Sequence, residues 1–531
     1  MSVPVLHPEA RVTLHKLVRR TTVNGSIPAA ERYAQADRTL DLTPILSEYG
    51  SIHLSKHIRQ PAGSFALIFS DAPQGSPLET IYGLIEPMDG IEIRLSHRHI
   101  PGRTPPIVMR GFVSAVRRSQ TIGERGAPMR TVVVEGHDYG KVWAMLRVLR
   151  RPWFALGTTW LSSFPLFERF GIGMETTLPA SDFIRQLVER ILNPHLDGML
   201  PSDWPMPRAF TVETLVEHGR TSVTGPQNAE GTVYQIAAEF TDVTAGFNEL
   251  YVEDRPDNVT VVFRPNPAID LDGSPIQPLP GGTRPVMPNI PGADILALEL
   301  ARSDTDVANY FWVEDPRFEL IRSFPLQYQA ATSAQRETVF MERHPNNLPS
   351  IYGLRPMVTA TQMGESDNFQ SGQRETAEVG REQANIRWLD DRRIVLGRTN
   401  RDNALLETGT ARIAGNENIR PGQHVVLGSG DLAAPYYVAS VTHDYIPFRG
   451  FFTTLGLERG QGFAKRIQLG RTSPYLAELA GAPQPAPGSI PPTGHQDGDR
   501  RTIGQTGEAG TPDGGAGPAA ATGARPSTER E

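Results

Sequence analysis

The chain of 531 residues has no cysteine. That excludes disulfides, iron–sulfur clusters, thiolate zinc sites and cysteine nucleophiles. Aromatic residues make up only 8%, and no apolar run approaches the ~18–20 residues that a membrane-spanning helix needs. The N-terminal stretch to Lys16 has no apolar core of signal-peptide length, because His7, Glu9, Arg11 and His15 interrupt it. A surplus of positive charge is missing too. The 52 basic and 59 acidic side chains leave a net −7, which argues against a dedicated nucleic-acid binder. Together these absences point to a soluble protein, made in a cytoplasm and lacking a membrane anchor.

What the chain has in quantity is glycine and proline, 50 and 46 residues. At roughly 100–200 residues per domain the length allows three or four domains. Residues 481–531 alone hold 11 Gly and 8 Pro, with Ile490 and Ile503 as the large apolar side chains. Such a segment cannot bury enough surface to offset its ordering entropy, so it is expected to be disordered. Residues 466–480 read as a short extension before it.

The first half reads as strands. Ser51-Ile-His-Leu-Ser-Lys-His-Ile58 and Ile91-Glu-Ile-Arg-Leu95 alternate polar and apolar, Gly63–Phe69 is a compact apolar run, and Thr131-Val-Val-Val134 is β-branched throughout. Short Gly/Pro/Asp clusters separate them, which favours a barrel or sandwich over βαβ units. Residues 139–246 read as an inserted helical or mixed domain. Lys141–Leu149, Ser181–Leu192 (with Ser181 as N-cap) and Thr232–Phe240 are its helix candidates. A hairpin, Phe247–Glu253 with Val259–Arg264, and a Pro/Gly-rich linker fill 247–292.

The second half echoes the first. Met88-Asp-Gly-Ile91 leads into a strand as Arg420-Pro-Gly-Gln423 does; Phe112-Val-Ser-Ala-Val116 parallels Tyr437-Val-Ala-Ser-Val441, and Thr131-Val-Val-Val134 parallels Thr453-Thr-Leu-Gly456. The order in both is turn, strand, loop, strand, loop, strand. The expected fold is mainly β with α+β insertions: two similar antiparallel β-barrel domains, expected as separate sheets. The first falls within 1–138 and the second within 293–465, with an insertion at about 320–385.

Chemical motifs are few. Gly136-His-Asp-Tyr-Gly140, between a strand and a helix, is similar to the nucleophile turn of epoxide-hydrolase-like enzymes. A nucleophile elbow needs a parallel sheet, an upstream oxyanion loop and later acid and His partners, none of which the preceding strands provide. The expected role of Asp138 is therefore to cap the following helix in a tight turn. His97 and His99 share a strand end without a third ligand at metal spacing. Asp270-Leu-Asp-Gly273 begins like a calcium loop but lacks the third acid and the closing Glu, so it reads as a turn. Asp390-Asp391-Arg392-Arg393 reads as a solvated, charge-balanced segment. Arg147, Arg150 and Arg151 cluster where a helix is expected to end. No catalytic, cofactor-binding or metal-ligating residue is assigned, and no cofactor is expected.

Four segments carry a family resemblance: Phe247-Asn-Glu-Leu-Tyr-Val-Glu253 with Val261-Val-Phe-Arg-Pro-Asn-Pro267; Ala301-Arg-Ser-Asp-Thr-Asp-Val-Ala-Asn-Tyr-Phe311; Ser350-Ile-Tyr-Gly-Leu-Arg-Pro356; and Tyr436–His443 with Gly450–Gly460. In order and spacing they resemble the baseplate hub, or tail hub, of tailed bacteriophages, a fold shared with the hub part of contractile injection-system spikes. The resemblance implies a non-enzymatic structural protein of the virion tail, a homotrimer with two similar barrels per chain that adapts a sixfold tail tube to a threefold spike around a DNA channel. It implies as partners the tail tube or distal tail protein, a spike or tail-tip protein, tape measure and baseplate wedge proteins, and passing DNA without sequence-specific binding. The alternatives are the hub of a phage-like injection system or tailocin, and a tail-associated hydrolase. No repeated needle segments follow Gly460, so a spike is expected as a separate chain.

Overall fold

The computed structural model describes residues 7–17, 38–46, 50–71, 81–122, 128–148, 177–222, 230–280, 287–314, 344–365, 375–429 and 432–462. The expected extension and tail at 466–531, and Arg150 and Arg151, lie outside them.

Seven strands come first: β1 (Glu9–His15), β2 (Thr39–Asp41), β3 (Ser51–His57), β4 (Ser64–Ser70), β5 (Gly90–Ser96), β6 (Ile107–Ile122) and β7 (Pro128–Asp138). Their alternation places Val12, Leu14, Ile52, Leu54, Leu67, Ile91, Ile93, Val132 and Val134 on one face, where all are buried in a single core. Helices α1 (Lys141–Met145), α2 (Ala180–Leu187), α3 (Asn193–Met199) and α4 (Val233–Phe240) follow, with strand β8 (Phe210–Thr214) between α3 and α4. The hairpin β9 (Asn248–Asp254) and β10 (Val259–Pro265) comes next, with β8 parallel to β10. Trp143, Phe183, Leu187, Ile236, Leu250 and Phe263 join these helices and the hairpin in a second core.

The last strands are β11 (Asn289–Pro291), β12 (Ile295–Ala301), β13 (Tyr310–Glu314), β14 (Pro356–Ala360), β15 (Glu407–Ala414), β16 (His424–Ser429), β17 (Leu432–Ile446) and β18 (Gly450–Gly460), with the helix α5 (Glu375–Asn400) before β15. Ala411, Ile413, Val425, Leu427, Val438, Leu455 and Leu457 form their core. The parallel pair β13–β14 and α5 are inserted between β12 and β15 around a smaller core of Phe311, Val313, Ile386 and Leu389.

The duplication is visible in the topology. In the first half the strands lie side by side as β3-β4-β7-β6-β5-β1; in the second, as β12-β15-β18-β17-β16-β11. Each order, read along the chain, is the same permutation of six strands. The β6–β7 ladder shifts register between Val113 and Ala115, and the β17–β18 ladder between Val438 and Ser440, so one bulge recurs at the same place. Residue 88 in one copy and 422 in the other both have positive φ, and each is hydrogen-bonded through its backbone N–H to the strand residue before the bulge (Met88 to Val113, Gly422 to Val438). One pairing differs: β1 runs antiparallel to β5, whereas β11 runs parallel to β16.

Register corrects the sequence alignment in two places. Phe112 pairs with Gly90 and Tyr437 with His424, so His424, not Gly422, is the partner of Gly90. Val116 pairs with Val134 and Val441 with Leu455, which sets Thr453 opposite Val132 rather than Thr131. The expectation of two separate sheets is also corrected. Ser440–Tyr445 of β17 pairs antiparallel with Ile52–His57 of β3, making one sheet of 13 strands across both halves.

Other local expectations shift. The helix from Lys141 stops at Met145, and Arg147 lies in a two-residue strand paired with Thr232. Helix α2 starts at Ala180 with Pro179 as N-cap, while Ser181 donates to the Val216 carbonyl at 2.5 Å. Helix α4 has its expected start, with Thr232 and Gln235 forming a capping box.

Candidate interaction site at the junction of the two halves

The hairpin β9–β10 sits over the β3–β17 junction and is tied to both halves by buried charge. On the first half, Lys56 of β3 places its Nζ 2.5 Å from Asp254 Oδ2 at the end of β9 and 3.4 Å from Asp138 Oδ2 at the end of β7. Both carboxylates are buried. Burial works against the Lys56 ammonium, but Asp254 and Asp138 outweigh it and hold its pKa above the ordinary lysine value. Burial raises the Asp138 pKa, opposed by Lys56 and reinforced by the like charge of Asp254. Arg110 of β6 adds hydrogen bonds to the carbonyls of Arg255 (2.8 Å) and Pro256 (2.6 Å) in the hairpin turn.

On the second half, Arg264 of β10 donates to Glu249 Oε2 at 2.8 Å and to the Gly422 carbonyl at 2.5 Å, and the Tyr437 hydroxyl donates to Glu249. Despite burial, Tyr251, Glu249 and Tyr437 hold the Arg264 guanidinium well above its ordinary pKa. Arg420 pairs with Glu253 at 2.8 Å. Gly422, at φ +86°, lies so close that a Cβ there would stand 2.8 Å from Arg264 Nη2.

The four resemblance segments are thus structural ties. Glu249 and Arg264, from the two arms of the hairpin segment, bond each other and reach Tyr437 in the fourth segment. Asn309 of the second, fully buried, donates to the Gly353 carbonyl at 2.7 Å and accepts from the Arg355 N–H at 2.8 Å, both in the third. Arg355 also pairs with Asp304 at 2.8 Å. Apart from the Glu249–Arg264 pair inside the hairpin segment, these bonds each join two segments, so no single segment reveals them.

The remaining motifs resolve separately. Asp138 accepts from the Gly140 N–H at 2.9 Å and faces Lys56, while His137 pairs with Ser114 at 3.0 Å. Its carboxylate does not cap α1, whose N-cap is Gly140 without a side-chain bond. Gly136 and Gly140 are needed for close approach, since a Cβ would come 2.3 Å from the Phe65 ring and 2.1 Å from the Pro61 carbonyl. His97 faces Glu417 (2.9 Å) and His99 faces Glu9 (2.6 Å), so the two imidazoles serve different carboxylates. Among the described residues no cluster has the makeup of a metal site. Asp270-Leu-Asp-Gly273 is a turn, closed by Gly273 N–H to the Asp270 carbonyl, with Asp270 paired to Arg401 at 2.8 Å.

Arg392 and Arg393 are a correction, being neither solvated nor merely balanced by their acidic neighbours. Arg392 lies 4.3 Å over the Trp388 ring, and Arg393, 2% exposed, lies 3.9 Å over Trp312. Arg393 thus docks α5 onto β13, while Arg392 is held between Trp388 of its own helix and Phe247 just before β9.

No family model and no curated protein matches this chain. Solved structures do. A tail protein from Neisseria meningitidis MC58 is 11% identical with a TM-score of 0.39, over 78% of this chain and 93% of that one. The 43 kDa tail protein of prophage MuSo2 from Shewanella oneidensis is 12% identical at TM-score 0.39, over 77% and 94%. A prophage tail protein from Listeria monocytogenes EGD-e is 8% identical at TM-score 0.36, over 89% and 99%.

Proposed function

We propose that this chain is the hub protein of a bacteriophage tail. Three copies form a ring in which six like halves surround a channel, joining a sixfold tail tube to a threefold spike. The observation that carries this reading is the repeated six-strand order with its repeated bulge. A chain holding two copies of one unit lets a threefold assembly offer six similar faces around its axis. The buried hairpin clamp supports it, because the ring needs the two halves held at one fixed angle.

In this reading the chain performs no catalysis and holds no cofactor. Its partners are the tail tube or distal tail protein on one side, a separate spike or tail-tip protein on the other, and tape measure and wedge proteins nearby. It assembles in the host cytoplasm and works in the virion. Three chains of net −7 give a ring of −21, suited to passing DNA, since a basic lumen would retain it by counterion release. Residues 1–138 and 293–465 are the hub halves, the second completed by β11 from the preceding linker. Residues 139–292 with the insertion at about 320–385 otherwise form their braces, and 466–480 and 481–531 are a short extension and a tail. Mixing the purified chain with its tail-tube protein tests the reading. A stable complex of three hub chains with a tube hexamer is expected, and no association at micromolar concentrations would refute it.

A further inference from the structure

The two halves have the same strand order but do not have the same neighbours. In the second half β17 forks. Its first part, Leu432–Tyr437, pairs with β16, and on the same edge its second part, Ser440–Tyr445, pairs with β3. In the first half the equivalent strand β6 pairs with β5 only from Ile107 to Phe112. The stretch Ala115–Gln120, equivalent to Ser440–Tyr445, has no strand on that edge among the described residues, and it is exposed from Arg117 onward. The strand equivalent to β3 is β12. It pairs with β15 on one edge and has no described strand on the other. Each chain therefore carries one satisfied junction and, among the described residues, the two unpaired members of a second one.

One core-facing side chain of β12 is exposed where the satisfied junction buries its counterpart. Ile52 pairs with Leu67, and Leu298 pairs with Ala411, the equivalent of Leu67. Ile52 is 1% exposed and Leu298 is 45% exposed, although both lie on the core face of their half. An exposed apolar edge strand of this length is an aggregation hazard unless something covers it.

We propose that β12 of one copy pairs antiparallel with Ala115–Gln120 of β6 in a second copy, in the register of the β3–β17 ladder. This rests on the proposed ring of like copies and names its interface. Transferring the register sets Glu299 opposite Ser119, Leu298 opposite Gln120, Ala301 opposite Arg117 and Ser303 opposite Ala115. In the internal ladder the pair equivalent to Ser119 and Glu299 is Asp444 and His53, whose side chains meet at 2.6 Å. Between copies Glu299 also lies diagonal to Arg117, an attractive cross-strand placement. The contact is head-to-tail, with a different edge from each chain, so it builds a closed ring or an open filament rather than an isologous dimer.

The absence of native cysteine makes a disulfide test clean. The full chain carrying Ser119→Cys and Glu299→Cys should, on oxidation at assembling concentrations, form covalent dimers and trimers on a non-reducing gel. The disulfide between positions 119 and 299 should link different chains, as mixing isotope-labelled and unlabelled protein would show. A second pair, Ala115→Cys with Ser303→Cys, tests the same register at the ladder's other end. Arg118→Cys with Glu299→Cys, on opposite faces, should not cross-link. Reduced variants must keep the mass and thermal transition of the unmodified chain. Trimers that cross-link through neither matched pair would overturn this interface and leave the ring reading standing. A chain monomeric at every concentration would overturn both, and matched cross-links in open polymers would support the ladder while overturning the threefold ring.

Discussion

Replacing Lys56 with methionine removes the ammonium held between Asp138 and Asp254 and keeps most of the side-chain volume. At 3.4 Å and an effective dielectric of ~20, one such ion pair is worth about 5 kcal/mol before desolvation is subtracted. Removing one partner of a buried pair typically costs about 3–5 kcal/mol, because the remaining charge is left uncompensated. Lys56→Met is therefore expected to cost about 3–5 kcal/mol at a pH of about 7.5, read from urea unfolding followed by tryptophan fluorescence. The sign of the pH dependence follows from Asp138. Its folded pKa is already raised by burial, and loss of Lys56 raises it further. Protonation then favours the folded state as pH falls, so the deficit must be smaller at about pH 5.5 than at about pH 7.5. Adding Asp138→Asn should recover part of the loss, since the amide still accepts from the Gly140 N–H without a buried charge. A deficit under about 1 kcal/mol, or one that grows on acidification, would refute the clamp as a charge-compensated site.

Six further outcomes are expected. Gly422→Ala should cost about 2 kcal/mol or more by thermal melting, from positive φ and displacement of Arg264, whereas Met88→Gly at the equivalent turn should be neutral or stabilise by up to about 1 kcal/mol. Asn309→Ala should cost about 2–3 kcal/mol and raise hydrogen exchange first in β13 and β14, because it strands the Gly353 carbonyl and the Arg355 N–H. Arg393→Lys should cost about 1–3 kcal/mol despite keeping the charge, since an ammonium cannot stack on Trp312 in the same way; a melting curve unchanged from the parent would contradict this. Truncation after Ala480 should leave the proposed trimerisation and the thermal transition unchanged, and purified protein should show no Asp138-dependent hydrolysis of a simple epoxide or ester.

The duplication is legible in the sequence because three consecutive strands in each half share a local pattern of turn, aromatic residue and β-branched run. Its alignment slips at Gly422 and Thr453 because residue identity is matched where hydrogen-bond register decides equivalence. Met88, not a glycine, holds the positive-φ turn in the first copy. The junction of β3 with β17 leaves no local trace, since edge pairing between strands so far apart in the chain requires only that both edges be free. Helix α5 escapes a sequence reading for a different reason. Its charges and apolar residues are spread around the axis rather than gathered in one stripe, and its distant partners meet it through two arginines, Phe247 and Gln277 at Arg392 and Trp312 at Arg393. Arg392 and Arg393 look solvated in the sequence for the same reason: Trp312 and Phe247, two of the rings that cover them, come from distant segments.

Whether two like halves per chain build a threefold ring with six similar units is tested most directly by native mass measurement of the full chain, followed by end-on electron microscopy of the same sample. Three copies of the 58.3 kDa chain, about 175 kDa, are expected, in a closed ring with six similar lobes around an open centre. A stable monomer or dimer at micromolar concentration, or a closed ring with any other number of chains, would contradict it.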